Sequence, residues 1–341
     1  MIDNELKDEL LHNLLKRVSR SFYLTLTVLP HTIRTQIALA YLFARIADTI
    51  TDAHTIDIAQ RQHCLTIFRE QFQTSGSSHG TLKDIQTVLD TEHPIESDLV
   101  LFTKINDCFT LFHALMPADQ NRIRNLMLTL INGMNMDLNV FSPQSSSNII
   151  ALPTLNDLDI YTYYVAGCVG EFWTHLSIAH IPSLSHWESG AMCERGIRFG
   201  KGLQLTNILK DLSKDLRKGR CYLPLSLLQK HQLTPKDLLT PDGFQSARPI
   251  LMELIDLTIE HLDMGWQYTL SIPRHAIRLR LACLWPILFA VKTLRHVSAS
   301  IERHNPNIDI KISRKEVYAT MFFSSMAIAS NRLLTAYYHQ R

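Results

Sequence analysis

Apolar residues recur at helical spacing along most of this sequence, and this periodicity constrains the fold more than any other feature. Side chains three and four residues apart lie on one face of an α-helix, so each periodic segment predicts a helix that buries one side. No train of alternating strands is evident. We predict an all-α fold, a single domain over 1–341 with one large helical bundle around a central cavity. The predicted helices are 3–17, 31–51, 55–73, 96–115, 118–139, 156–179, 186–217, 245–270, 275–302 and 314–337.

Composition and charge narrow the possible functions. Hydrophobic residues make up 46% of the chain and charged residues 19%, which argues against disorder. The 34 basic and 32 acidic residues leave a net charge of +2, so no global field favours nucleic acid. Any site for an anion must therefore be local.

Cysteine spacing and the N-terminus bear on the cellular compartment. The six cysteines show no zinc-binding spacing and most lie in apolar stretches, so we predict reduced core residues. The N-terminal segment mixes acids and bases and does not resemble a secretory signal, which predicts a cytoplasmic location. The longest apolar run, 281–291, is about half of the roughly 20 residues that span a bilayer, which favours a buried helix.

A first pair of aspartates, Asp48 and Asp52, lies in the run YLFARIADTITDAH behind a mostly apolar stretch. This spacing places both carboxylates on one helix face, where they repel each other unless a cation lies between them. Magnesium takes oxygen ligands and binds through one or two carboxylates together with substrate phosphates. Tyr41 and Arg45 extend the same face, which predicts a polar stripe that binds magnesium and diphosphate.

A second pair, Asp211 and Asp215, lies on a helix whose polar face also includes Gln204 and Asn207. Basic groups around this face can hold a diphosphate and neutralise the charge on a departing one. They are Lys210, Lys214, Arg217, Lys218 and Arg220. Both pairs also have a plainer interpretation as solvated helix faces with ion pairs. Two such faces in one chain favour the metal interpretation.

Five segments, in order, resemble motifs of the squalene/phytoene synthase family. They are VSRSFYLTLTVLP, YLFARIADTITD, INGMNMDL, YTYYVAGCVG and QLTNILKDLSKDLRKGRCYLP. The resemblance spans most of the chain and implies an isoprenoid-synthase-type helical fold and a transferase that condenses prenyl diphosphates head to head. Thr51 and Lys210 depart from the pattern, because an acidic residue and an arginine are usual there.

The resemblance implies a role for each matched residue. Metal ligands would be Asp48, Asp52, Asn207, Asp211 and Asp215. Catalysis would involve Tyr161, Arg45 and the four aspartates. Substrate would contact Arg20, Arg45, Tyr164, Gln204, Asn207, Lys210 and Arg220, and NADPH would contact Ser19, Ser21, Tyr41 and Asn207. Gly167 and Gly170 would allow helices or a prenyl chain to approach closely.

The implied reaction joins two farnesyl diphosphates through presqualene diphosphate to squalene, with Mg²⁺ and NADPH, in sterol or hopanoid biosynthesis. The alternatives are a non-reducing dehydrosqualene, hydroxysqualene or phytoene synthase. The resemblance is closest to bacterial squalene synthases, which lack the C-terminal anchor of animal and fungal enzymes. We expect no obligate protein partner, and at most transient peripheral contact with the inner membrane for product release.

Other classes of protein remain as rivals. A terpene cyclase or head-to-tail prenyltransferase would also use helical aspartates and magnesium, but the SRSF and GRCYLP segments argue against both. A non-catalytic assembly protein that keeps the fold should have lost metal ligands, and all four aspartates remain. The apolar segments 281–294 and 316–329 are expected to line a prenyl tunnel or to belong to the ordinary core.

Overall fold

The computed structural model describes residues 4–19, 23–53, 56–73, 81–90, 96–141, 149–303 and 310–339. The chain divides into two compact units, residues 1–139 with 175–182 and residues 140–174 with 183–341. Helices make up nearly all of the regular structure in the described ranges, which confirms the all-α prediction. The assignment of 1–341 to a single domain stays a prediction.

The first unit is built from short helices around two long ones. Its helices are Asn4–Asp8, Glu9–Leu14 (a π-helix), Leu15–Val18, Tyr23–Val28, His31–Asp52, Ile58–Glu70, Leu82–Asp90, Glu96–Thr103, Ile105–His113 and Pro117–Val140. Five phenylalanine rings form the centre of its core, with neighbouring centroids 4.8 to 6.2 Å apart. They are Phe43, Phe68, Phe72, Phe109 and Phe112. Such edge-on and tilted ring pairs stabilise a core beyond the area that they bury.

The helix His31–Asp52, here called the first acidic helix, follows Pro30 and buries one continuous apolar face. Leu39, Leu42, Phe43, Ile46 and Ile50 are all fully buried, and their spacing is that of one helix face. The run before Asp48 is therefore buried as its composition predicts.

The second unit contains the longer helices and two short strands. Its helical elements are Leu155–Thr162, Tyr163–Gly167 (a π-helix), Cys168–His180, Pro182–Leu184, Ser189–Arg217, Leu225–Lys230, Asp237–Leu239, Pro241–Ser246, Arg248–Ser271, Ile277–Glu302, Arg314–Ala327 and Asn331–His339. The last turns of Cys168–His180 and the segment up to residue 182 belong to the first unit. The strands Ile150–Ala151 and Arg220–Cys221 pair in parallel.

The helix Ser189–Arg217, here called the second acidic helix, has defined ends. At its start the Glu188 carboxylate accepts from the backbone N–H groups of Gly190 and Ala191, which satisfies donors that a helix leaves open. At its end Gly219 has a φ of 81°, a left-handed conformation that favours glycine and closes the last turn. Sequence and structure therefore agree on where this helix ends.

Several predicted boundaries are wrong. Segment 96–115 is two helices that break at Lys104, segment 314–337 is two helices that break before Asn331, and segment 156–179 contains a π-helical turn. The short helices were not predicted, because fewer than three turns show too little periodicity. They are Tyr23–Val28, Leu82–Asp90, Leu225–Lys230 and Pro241–Ser246.

Two predictions about the core are confirmed. All six cysteines are free and buried, and burial raises the pKa of the Cys108 thiol to about 12. The apolar run 281–291 lies inside the helix Ile277–Glu302 and is largely buried. Within the described ranges, no helix combines the length and apolarity that crossing a membrane requires.

Candidate active site

The first acidic face carries an ion pair rather than two bare carboxylates. The Arg45 guanidinium donates to Asp48 Oδ2 at 2.6 Å, and the Asp48 side chain is 47% exposed. Asp52 lies one turn further along and is exposed. Asp48 is only partly buried because the apolar residues before it lie on the other side of the helix.

Backbone contacts hold the polar neighbours of this face. The Tyr41 hydroxyl donates to the Val18 carbonyl at 3.3 Å, and the buried Ser19 hydroxyl donates to the Leu15 carbonyl at 2.5 Å. Thr51, where the family pattern has an acid, donates to the Asp48 carbonyl at 2.7 Å. Arg20 and Ser21, which were predicted to contact substrate and cofactor, lie outside the described residues.

The second acidic face contains Gln204, Asn207, Asp211 and Asp215 on the helix Ser189–Arg217. Lys210 Nζ lies 3.1 Å from Asp211 Oδ2 and 3.4 Å from Asn207 Oδ1, so its ammonium bridges two predicted metal ligands. Asn207 is exposed, and Gln204 is partly buried. A lysine ammonium is a compact charge on a flexible stem. It can therefore contact both oxygens, but it lacks the rigid, planar pair of donors that an arginine would present.

Asp215 differs from its partner in its surroundings. Burial, reinforced by the negative charge of Asp211, raises the pKa of Asp215 from 3.8 to about 6. Lys218, Arg220 and Lys214 act in the opposite direction and only partly offset the effect. The ionised form of Asp215 is therefore unfavourable, and a bound cation would stabilise it.

The parallel strand pair fixes the position of Arg220. After Gly219 turns the chain, Arg220 and Cys221 pair with Ile150 and Ala151. The Ile150 N–H donates to the Gly219 carbonyl, and the Leu152 N–H donates to the Cys221 carbonyl, both at 3.0 Å. The GRCYLP segment is thus held by backbone hydrogen bonds directly after the second acidic helix.

Tyr161, predicted to act in the condensation, is 7% exposed in the second unit. Its ring stacks on Tyr222 with centroids 4.9 Å apart and planes 25° apart, and Phe141 packs edge-on against Tyr222. Tyr164 is partly buried, and its ring centroid lies 5.9 Å from that of Tyr163. Aromatic neighbours therefore fix the orientation of the Tyr161 ring.

Glycines bring the second acidic helix against the segment that carries Tyr161 and Tyr164. A Cβ at Gly170 would lie 1.9 Å from the Gly196 carbonyl oxygen, and one at Gly200 would lie 2.2 Å from the Ala166 carbonyl oxygen. Backbones can approach this closely only without side chains. The prediction that Gly170 permits close helix approach is confirmed. A Cβ at Gly167 would meet less crowding, since it would lie 3.1 Å from the Tyr163 side chain and 3.2 Å from that of Ile197.

Sequence reasoning did not identify two features of this segment. Residues Tyr163–Gly167 form a π-helical turn, a distortion found often at functional sites. The Tyr163 hydroxyl donates to Glu171 Oε2 at 3.0 Å, and burial and this carboxylate raise the pKa of Tyr163 to about 12. A tyrosine and a glutamate eight residues apart are not neighbours on a regular α-helix, so their spacing alone does not predict this contact.

The first acidic face lies in the first compact unit and the second acidic face in the second. In the described part of the chain, no group of three or more His, Cys, Asp or Glu side chains gathers in a way that could hold a metal ion unaided. Two carboxylates on each face nevertheless fit Mg²⁺, which keeps water ligands and is completed by substrate phosphates. The raised pKa of Asp215 fits the same ion, since a cation would neutralise the repulsion from Asp211.

Comparison with solved structures shows the class of fold. TcSQS, solved with a bound ligand, superposes with a TM-score of 0.76 over 98% of this chain and 90% of that one, at 21% identity. The chain therefore has the helical fold of that protein.

Sequence comparison shows the family. The squalene/phytoene synthase model matches residues 15–316. The chain is 28% identical over 313 residues to squalene synthase of Saccharomyces cerevisiae, covering 91% of this chain and 66% of the yeast protein. It is 31% identical over 255 residues to a bifunctional lycopene cyclase/phytoene synthase of Neurospora crassa, covering 72% of this chain and 40% of that protein.

The chain belongs to the squalene/phytoene synthase family, whose members are prenyltransferases that act on prenyl diphosphates. It spans less than two thirds of the length of these two curated relatives.

Proposed function

We propose that this protein joins two farnesyl diphosphates head to head and reduces the product to squalene with NADPH. The observation that carries the proposal is the presence of two acidic helix faces, each with a cation beside its aspartates. Arg45 contacts Asp48 in the first, and Lys210 contacts Asp211 in the second. A reaction that ionises two diphosphates needs two such places, because each leaving group carries several negative charges.

The proposed chemistry begins with departure of the first diphosphate. Arg45 would hold leaving oxygens at the first face and Arg220 at the second. Mg²⁺ bound by Asp48 and Asp52, or by Asn207, Asp211 and Asp215, would supply Lewis-acid stabilisation of negative charge. Charge-assisted hydrogen bonds from arginine suit this task because the guanidinium presents two parallel donors to phosphate. The second farnesyl double bond attacks the allylic carbon, and one proton must leave to close the cyclopropane ring.

We assign removal of that proton to Tyr161, with the released diphosphate as acceptor. The Tyr161 ring is fixed by stacking on Tyr222, so its hydroxyl is held in one place. The products of the half-reaction are presqualene diphosphate, one diphosphate and one proton.

The second half-reaction releases the remaining diphosphate and adds a hydride to the rearranged cation. NADPH supplies that hydride when bound. Ser19 donates its hydroxyl proton to the Leu15 carbonyl, so its oxygen would act as an acceptor towards the cofactor, and Tyr41 is assigned to the same contact from the family pattern. Acceptors fit the amide of a nicotinamide or the hydroxyls of a ribose, both of which donate hydrogen bonds.

A second candidate is a synthase of the same family that loses a proton instead of gaining a hydride. The similarity to the phytoene synthase of Neurospora crassa favours it, at 31% identity. The two candidates share the ionisation chemistry and differ only in how the last cation is quenched.

Product analysis separates them. The purified chain is incubated with farnesyl diphosphate and Mg²⁺, with and without NADPH, and extracted lipids are identified by mass spectrometry. Squalene formed only with NADPH supports the proposal. Dehydrosqualene or presqualene diphosphate in equal amounts under both conditions supports the second candidate. Failure to turn over farnesyl or geranylgeranyl diphosphate would refute both.

A further inference from the structure

In the helix Arg314–Ala327, here called the outer helix, several large apolar side chains are exposed and small polar ones are buried. Thr320 and Ser324, one turn apart, are the buried residues, and Ser324 accepts from the Trp285 indole N–H at 3.2 Å. Tyr318, Phe322 and Met326 are spaced four residues apart on the other face and are 65%, 63% and 76% exposed. The expectation that segment 316–329 is ordinary core is therefore wrong for these side chains.

Large exposed apolar side chains are concentrated on the outer helix and on the helix that follows it. Phe323 on the outer helix is 57% exposed, and Leu333 on the next helix, Asn331–His339, is 60% exposed. With Tyr318, Phe322 and Met326 they form what we call the apolar surface. In the described part of the chain, only Met116 among the other large apolar residues is more than half exposed. Contiguous apolar surface of this kind marks an interaction site.

Basic residues flank the apolar surface. Arg314 and Lys315 precede Tyr318 by four and three residues, so they lie on the same side of the helix. Between residues 310 and 339 the basic residues are Lys311, Arg314, Lys315 and Arg332, and the acidic residue is Glu316. The segment carries a net charge of +3 against +2 for the whole chain, so positive charge concentrates where apolar residues are exposed.

We propose that the apolar surface is a docking site for an anionic phospholipid membrane. A helix with aromatic and methionine side chains on one face and basic residues beside them binds at the boundary between headgroups and acyl chains. The basic residues then contact lipid phosphates, and the rings and thioether enter the apolar layer. A second copy of this chain is a poorer occupant, since a two-fold symmetric contact would oppose each positive segment to its equivalent.

Vesicle co-sedimentation tests the proposal and does not depend on catalytic activity. The purified chain is mixed with vesicles of phosphatidylcholine alone or with one third phosphatidylglycerol, at low and at physiological salt. We expect binding to the anionic vesicles that weakens as salt rises. Replacing Phe322 and Met326 together with serine should reduce the partition coefficient at least about tenfold. Replacing Arg314 and Lys315 with glutamine should reduce it about fivefold per residue, on anionic vesicles only.

The control variant is Met116→Ser, which removes an apolar side chain of similar exposure, 69%, from the first unit. It should bind vesicles as the unaltered chain does. Circular dichroism and urea unfolding establish that each variant is folded. The proposal is overturned if the unaltered chain stays in the supernatant with anionic vesicles. It is equally overturned if Met116→Ser reduces binding as much as the Phe322 and Met326 change, or if that change only converts a dimer to a monomer in sedimentation velocity.

Discussion

The two acidic helices carry aspartates at the same spacing but in different surroundings. On the first, Asp48 is 47% exposed and is paired with Arg45 at 2.6 Å, and Asp52 is exposed. On the second, Asp211 contacts Lys210, while burial and the charge of Asp211 raise the pKa of Asp215 to about 6. The spacing therefore specifies which carboxylates share a face, and the packing around the second helix raises the pKa of one of them, Asp215.

The difference suggests a division of roles for the two faces. In the proposed function, the more exposed pair with its own arginine would bind a hydrated metal together with diphosphate. On the second face, burial raises the pKa of Asp215, and ligand binding would relieve the unfavourable negative charge there. Four predictions test this comparison, and they are given from the largest expected effect to the smallest.

Removing one carboxylate from each face should have the largest effect. Asp48→Asn and Asp211→Asn should each lower turnover of farnesyl diphosphate about a hundred- to a thousandfold, because each would lose a ligand for the Mg²⁺ that stabilises negative charge on the leaving diphosphate. Asp256→Asn, at an exposed position on the helix Arg248–Ser271, is the control and should leave turnover unchanged. Near-normal turnover by either variant at limiting Mg²⁺ would contradict the role of that face.

The raised pKa of Asp215 predicts a stability effect that depends on pH. A carboxyl whose pKa is higher in the folded state, about 6 against 3.8, favours folding while protonated and loses that contribution as pH rises through 6. Without metal, Asp215→Asn should raise the free energy of unfolding at pH 8 by up to about 3 kcal/mol, and at pH 5 by about half of that, because the unfolded carboxyl is already ionised above pH 3.8. Urea unfolding at both pH values measures the difference.

The matched control for that experiment is Asp52→Asn on the first face. Asp52 is exposed, so its replacement should change stability by less than about 0.5 kcal/mol. Addition of Mg²⁺ should reduce the advantage of Asp215→Asn, because the cation stabilises only the carboxylate. An equal gain at pH 5 and pH 8 would mean that charge is not the cause.

Close backbone contacts distinguish the second helix from the first, which contains no glycine. Gly170→Ala should destabilise the protein by about 1–3 kcal/mol, because its Cβ would lie 1.9 Å from the Gly196 carbonyl oxygen and the helices must separate. Gly190→Ala is the control, since its nearest neighbour is the flexible end of Glu188 at 3.2 Å. It should be neutral or stabilising within about 1 kcal/mol. Equal stability of the two variants in urea would argue against the close contact.

Breaking the two cation contacts should have the smallest effect on stability. Arg45→Met and Lys210→Met should each change the free energy of unfolding by less than about 1 kcal/mol, because the carboxylates Asp48 and Asp211 are 47% and 38% exposed. Both are measured by urea unfolding without metal, alongside Lys230→Met at an exposed site. A loss above about 2 kcal/mol for one variant would show that its face is the more deeply buried.

The sequence predicted the long helices because they are periodic over several turns. His31–Asp52, Ser189–Arg217 and Ile277–Glu302 all begin and end within a few residues of the predicted limits. The short helices and the paired strands were not predictable, since two residues of strand depend on a partner 70 residues away. The π-turn at Tyr163–Gly167 has no periodic signal either, and the same segment contains Tyr163, which donates to Glu171.

The sequence by itself determined the helical class, the family and which carboxylates share a helix face, because these follow from residue spacing and motif order. Only the tertiary structure decided the burial of Asp215, the pairing of Arg45 with Asp48 and the stacking of Tyr161 on Tyr222. It also decided that Phe322 and Met326 face outwards while Thr320 and Ser324 face the neighbouring helix. Residue spacing determines which side chains share a helix face. The elements that pack against the helix determine which of its faces is buried.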